Sequence, residues 1–229
     1  MGIGESDRLR KWLAPALFLS MLAALYAAFV YAPTEATQGD VQRIFYFHVP
    51  SAWVAFLAFF VVFTGSILYL WKKDRRWDIL ASCSAEIGVL FTTMVLLTGP
   101  LWGKPIWGTY WSWDPRLTTT LILWLIYVAY LMLRAYAGER TKGARMAAVL
   151  GIVGFVDVPL IHLSVLWWRS LHPLPTVIRA GGPALPQSML VSLMVSLLAF
   201  TLLYLYLLRE RVHLEWMKDE VEALKQKRG

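Results

Sequence analysis

Two histidines, His48 and His172, stand on either side of the stretch WGKPIWGTYWSWDPRLT, which runs from Trp102 to Thr118. That stretch holds Trp102, Trp107, Trp111 and Trp113, together with Tyr110 and Asp114. Neutral imidazole is the commonest protein ligand for a metal. Indole offers a flat apolar face that packs on another ring at centroid separations of about 4.5–7 Å. One imidazole above and one below a flat metal-bearing ligand, with indoles along its face or edge, is the axial ligation that haem iron accepts. Each feature also has a plainer reading. Either histidine alone is equally an interfacial polar residue, and Trp and Tyr concentrate at membrane–water interfaces with no ligand at all. The plainer reading covers some of the indoles. It does not cover four of them with Tyr110 in one stretch punctuated by Gly99, Pro100, Gly103, Pro105, Gly108 and Pro115.

A porphyrin also carries carboxylates, which call for cations. On the histidine side these are Arg43, Lys104, Arg116, Arg169 and Arg179, and Arg116, inside the Trp-rich stretch, is the one assigned to the ligand. Arginine can hold a carboxylate through two parallel hydrogen bonds. Asp114 reads as a helix cap, because WDPRLT puts Asp at the N-cap and Pro at the first helical position. His162 precedes His172 by ten residues, about 15 Å along a continuous helix, which gives it a supporting role rather than a share of the same iron. His213 reads as a solvated tail residue. Glu86 and Asp157 are ionisable residues inside apolar runs and so are functional candidates by default. A polar contact between them, or protonation, would make them tolerable there.

Positioning these residues falls to helices. Of 229 residues, 58% are hydrophobic and the mean hydropathy is +0.54, too apolar for an ordinary soluble domain. A helix crossing a bilayer takes about 20 mostly apolar residues. Such runs fall at roughly 13–32, 51–71, 79–98, 117–136, 146–167 and 187–208. The expected fold is an all-α, polytopic six-transmembrane-helix bundle forming one integral membrane domain over 1–229, with an outer Trp-rich loop at 99–116. The first run follows Arg8, Arg10 and Lys11 like a signal peptide. It is longer than the apolar part of one and no clear cleavage site follows, so it reads as a retained span. With the N-terminus inside, 17 Lys and Arg fall on the inner side and 5 on the outer. The positive-inside rule therefore places both termini in the cytoplasm. It also accounts for the net charge of +7 without nucleic acid. The outer connections are long and rich in Pro, Gly, Trp and His, and loops carried on a rigid scaffold often hold function. His48 falls in the first of these and His172 in the third. The one cysteine, Cys83, allows no intramolecular disulfide. No C-x-x-C-H, zinc-spaced Cys/His pair or G-x-x-x-x-G-K-[ST] is present, so the chain reads as neither a c-type cytochrome, a structural zinc protein nor an ATPase.

WGKPIWGTYWSWDPRLT resembles the tryptophan-rich WWD signature of haem-handling membrane proteins. FYFHVPSAW before it and PLIHLSVLWWRSLHP after it resemble their flanking histidine segments. The chain is most similar to the cytochrome c maturation protein C (CcmC) family, most firmly over about Thr34 to Leu208. The resemblance implies a non-enzymatic protein of the bacterial inner membrane. It implies haem b held at the periplasmic face by His48 and His172, with Trp102, Trp107, Tyr110, Trp111, Trp113 and Arg116 around it. It further implies delivery to a periplasmic haem chaperone, protein E of the system, alongside an ABC transporter made of proteins A and B and a small membrane protein, protein D. By the same resemblance, ATP hydrolysis by protein A is implied to release the loaded chaperone. Tyr110 stands where the family pattern has a tryptophan, and an aromatic plane is kept. Two alternatives stay open: a transmembrane haem transporter or exporter component, and a small haem lyase. Lyase relatives with this signature are usually much longer.

Overall fold

The computed structural model describes residues 3–173, 176–177 and 181–228, with side chains from residue 11 to residue 227 outside the two gaps. The fold is all-α, and six of its helical segments are long and apolar enough to cross a membrane, matching the six runs in the sequence. In chain order the helices are α1 (Ile3–Tyr26), α2 (Phe45–Lys72), α3 (Arg75–Trp107), α4 (Pro115–Tyr136), α5 (Arg140–Phe155), α6 (Asp157–Trp167) and α7 (Gln187–Arg228). α5 and α6 share one span. Successive spans alternate in direction, which places the start of α1 and the end of α7 at one end of the bundle and His48 and His172 at the other.

Helix ends differ from the sequence reading, and the reasons are local. α1 runs on through a wider π turn over Ala27–Tyr31, closed by Ala32 N–H on the Ala27 carbonyl at 2.9 Å. α2 begins at Phe45 rather than near residue 51, after a 3₁₀ turn over Asp40–Ile44. His48 is thus a helical residue, not a loop residue. α3 continues through Pro100 and Pro105 to Trp107. Each proline forgoes one hydrogen bond to the carbonyl four residues back, yet the helix holds. Only 108–114 of the expected 99–116 loop is irregular. The fifth span is interrupted at Val156. Pro159 has no N–H for the Phe155 carbonyl and its ring crowds it, so the break falls there.

α2 is the hub, packing on α3, α5 and α7. A two-residue turn joins it to α3. Lys73 adopts the left-handed conformation (φ 54°) and Asp74 caps α3 by accepting the Arg76 N–H at 2.9 Å. Inside a bilayer, lipid is as apolar as a side chain, so close packing and interhelical hydrogen bonds hold helices together. Ala55, Ala58, Ala81 and Ala85 are all buried and let α2 and α3 approach. Phe59 of α2 stacks on Tyr127 of α4 with ring centroids 3.7 Å apart. Ser84 donates to the Ala58 carbonyl at 2.8 Å, and its hydroxyl meets that of Tyr204 at 2.9 Å, tying α3 to α2 and α7.

The end away from the histidines is held by ion pairs. Buried Asp78 of α3 takes Arg134 of α4 through both oxygens, at 2.5 and 3.1 Å, and also pairs with Arg75. Asp219 of α7 takes Arg75 at 3.2 Å and Arg140 of α5. Glu86 is held by Arg211 of α7 in a two-pronged contact at 2.7 and 2.8 Å. The expected Glu86–Asp157 contact is not formed. Glu86 is taken by an arginine beyond the apolar run, and Asp157 opens α6 with one buried carboxylate oxygen unpaired.

Candidate haem site

One cavity of about 400 Å³ lies within the histidine end of the bundle, a usual size for a small-molecule pocket. α2 contributes His48, α3 Trp102 and Trp107, α4 Arg116, α6 His162, and the segment after α6 His172; Trp111 comes from the α3–α4 loop. The cavity is no surface bed. Its wall on α3 runs from Trp107 back to Thr92, about 22 Å of helix. Much of the remaining lining is apolar, including the buried Leu123, Ile161 and Leu193.

His48 and His172 are prepared alike. The Thr98 hydroxyl donates to the Met94 carbonyl at 2.7 Å, so its oxygen accepts the Nδ1–H of His48 at 2.8 Å. The Pro173 carbonyl can only accept, so it takes the Nδ1–H of His172 at 3.1 Å. A ring that gives its proton through Nδ1 keeps a bare lone pair on Nε2, and such a partner fixes both tautomer and orientation. Burial first, then the Arg116 guanidinium, hold the His172 imidazole down at about 4 from its ordinary 6.5; the Pro173 bond and Asp114 oppose them. His172 is therefore neutral at pH 7. Each histidine has its own indole. His48 and Trp102 have centroids 5.8 Å apart, and Trp107 and His172 6.4 Å. Gly99 faces His48 so closely that a Cβ there would sit 3.3 Å from Cε1, and a Cβ on Gly103 would sit 2.7 Å from the Trp107 ring. The two glycines keep side chains off the imidazole and let the indole fold back on its own helix.

Thr98→Val keeps the shape and removes the acceptor. Loss of such an outer-shell partner typically costs about 10–100-fold in metal affinity. Titration of ferric haem into the variant is expected to show a weakening in that range, with Thr98→Ser restoring it. Parent-like affinity in Thr98→Val would remove Thr98 from the site.

The remaining predicted residues separate. Tyr110 (58% exposed) and Trp113 (76% exposed) do not line the cavity. Tyr110 lies under the Lys104 ammonium at 5.2 Å, and Trp113 packs edge-on against Trp111 at 5.7 Å. Arg43 is spent on the carbonyls of Ala28 and Ala32 and Lys104 on that of Gly108. Arg169 is exposed, and Arg179 lies outside the described residues. Arg116 lines the cavity and its guanidinium forms no ion pair among the described residues, which leaves it open to an anion. Asp114 is the cap predicted, accepting the Arg116 N–H at 2.9 Å. Its other oxygen accepts the Leu171 N–H at 2.7 Å. That second bond ties the Trp-rich segment to the residue before His172. Local patterning could not reveal it, because the partner is 57 residues away in sequence. The same holds for Thr98, a hydroxyl-bearing residue in an apolar helix with nothing local to mark it. Nor does sequence spacing make His162 a companion of His172. α6 stops at Trp167, so the expected continuous helix does not separate them, and both line one cavity.

A six-span helical membrane protein with an imidazole- and indole-lined cavity at one end is thus defined by fold and site together. The sequence matches the family model described as CcmC: Heme exporter protein C over residues 3–227, and the chain belongs to that family. It is 40% identical to Heme exporter protein C of Bradyrhizobium diazoefficiens over 214 residues, 93% of this chain and 79% of the relative. A ccmC-like mitochondrial protein of Marchantia polymorpha, named for cytochrome c biosynthesis, is 36% identical over 183 residues, 80% of this chain and 77% of the relative. Heme exporter protein C of Haemophilus influenzae is 35% identical over 192 residues, covering 84% and 78%.

Proposed function

We propose that the chain takes part in cytochrome c biogenesis by binding haem b as cargo and handing it to a periplasmic haem chaperone. The observation that carries this reading is the pair of bare Nε2 atoms, on His48 and His172, in one cavity walled by indoles. Among the described residues no three His, Cys, Asp or Glu gather around a common point. Two neutral imidazoles suit an iron whose four equatorial positions a porphyrin already fills. Trp102, Trp107 and Trp111 supply flat apolar wall, and the Arg116 guanidinium takes a propionate. Tyr110 and Trp113, exposed at the rim, form the surface met by the chaperone. The positive-inside distribution supports an orientation with the histidine end in the periplasm and the ion-paired end in the cytoplasm of a bacterial inner membrane. The ABC transporter proteins A and B and the small membrane protein D of the same system are the expected membrane partners. The chain holds and presents haem and makes no covalent bond to it.

The depth of the cavity favours a second reading, passage of haem through the bundle as an exporter. One experiment separates the two. Protein reconstituted in sealed vesicles and loaded with ferric haem is mixed with the soluble domain of the chaperone on the histidine side. Delivery predicts that the Soret band moves to the chaperone and that none appears across the bilayer without it. Haem crossing the vesicle unaided would replace delivery with export.

A further inference from the structure

His162 poses a problem that delivery alone does not solve. It lies five residues before Trp167, about 7.5 Å deeper in the membrane along α6. Its side chain is exposed, on the helix face it shares with exposed Pro159 and Leu166, and yet it lines the cavity, which those two do not. Among the described residues its ring makes no hydrogen bond. An unpaired imidazole in contact with hydrocarbon is costly, and polar residues there normally find a partner inside the bundle. The neighbours on α6 do not demand it: Ile161 is buried and Leu160 is exposed. The cavity it borders descends along α3 to Thr92 and is apolar there. The Arg116 guanidinium is within electrostatic reach of His162, His172 and His48 alike. Three imidazoles and the Arg116 cation thus line one cavity, and of the three only His162 is exposed.

Building on the haem reading above, we propose that His162 is a third iron ligand, a way-station at a lateral mouth through which haem passes between the bilayer and the His48–His172 site. Haem is a flat apolar molecule with a charged edge and partitions into membranes. A ligand at the lateral mouth would capture its iron from the lipid phase. Exchange of one imidazole for another at the iron breaks one Fe–N bond and forms one, with no change in oxidation state or proton count.

The test uses full-length protein in lipid nanodiscs mixed with vesicles doped with ferric haem, following the Soret band in time. His162→Gln keeps a polar side chain but no good iron ligand; His162→Met keeps a ligand and loses the imidazole. The expected result is a final spectrum like that of the parent in both variants. Loading of His162→Gln is expected to slow by about an order of magnitude, equivalent to about 1.4 kcal/mol of barrier, while His162→Met stays within a few-fold of the parent. Equal loading rates for the parent and His162→Gln would overturn the proposal, as would equal slowing in both variants, since that marks a structural role. A parent that acquires no Soret band overturns the haem reading itself, and the proposal with it.

Discussion

Protein carrying His48→Ala or His172→Ala is expected to purify with little haem and, when ferric haem is added, to show a Soret band shifted from that of the parent. On the ligation proposed above, each replacement removes one of two axial donors, so the remaining site is expected to bind at least about tenfold more weakly. The two variants should differ in degree. His48 is set in α2 between Thr98 and Gly99, so its loss leaves a hole in rigid structure that water enters. His172 is carried on an irregular segment, held through Asp114 and the neighbouring Leu171. Acid provides an independent check. The His172 imidazole stays unprotonated down to about pH 4, against 6.5 for a free one. Between those values the unfolded chain binds more protons at this position than the folded one. The contribution to stability is therefore complete above about 6.5 and falls as the pH drops toward 4. Haem retention should survive at pH 5.5 and be lost near pH 4. Full retention of haem by both alanine variants, with an unshifted Soret band, would sink the axial assignment.

The second large effect concerns the far end of the bundle. Asp78 is buried and serves Arg134 and Arg75 at once. Asp78→Ala leaves Arg134, itself largely buried, with no carboxylate. Breaking a buried pair on one side typically costs about 3–5 kcal/mol, because the surviving charge stays desolvated. Thermal unfolding in mild detergent should show a large fall in midpoint for Asp78→Ala. The double replacement Asp78→Ala with Arg134→Met should recover part of it, since removing both charges removes the stranded one. A midpoint unchanged in the single variant would mean that water reaches Arg134 freely.

The two ends of the molecule were not equally legible in the sequence. Six spans follow from apolar run length, and the Asp114 cap follows from Asp-Pro at a helix start, because both depend on near neighbours. Helix ends at the histidine face were harder. Pro100, Pro105 and Gly103 read as loop punctuation, yet α3 absorbs them, since one missing hydrogen bond per proline does not unwind a helix supported on several sides. That change put Trp102 and Trp107 on a rigid element and left only Trp111 and its exposed neighbours on the loop. The pairing of Glu86 with Arg211 was invisible because the sequence marks both as charged but says nothing of which helix crosses which. The depth of the cavity, and the place of His162 on it, depend on where α6 stops. Trp167 gives no sign of a terminus, and the kink at Val156 comes from Pro159, three residues on.

α7 is one uninterrupted helix of 42 residues with no Pro or Gly from end to end, about 63 Å of rod across a hydrocarbon layer of about 30 Å. Near its start, Met189 and Leu193 wall the cavity and Ser192 clips it to the π turn of the first span through the Ala27 carbonyl at 3.1 Å. Near its other end, Asp219 is grasped by arginines from two other helices. Sharp bends in helices need a Pro, a Gly or an inserted group, and α7 has neither residue to yield at. It therefore behaves as a lever whose fulcrum is the packed middle of the bundle. A force applied at Asp219 on one side of the membrane would be carried by α7 to the cavity wall on the other, and a load in the cavity would be carried back along the same beam.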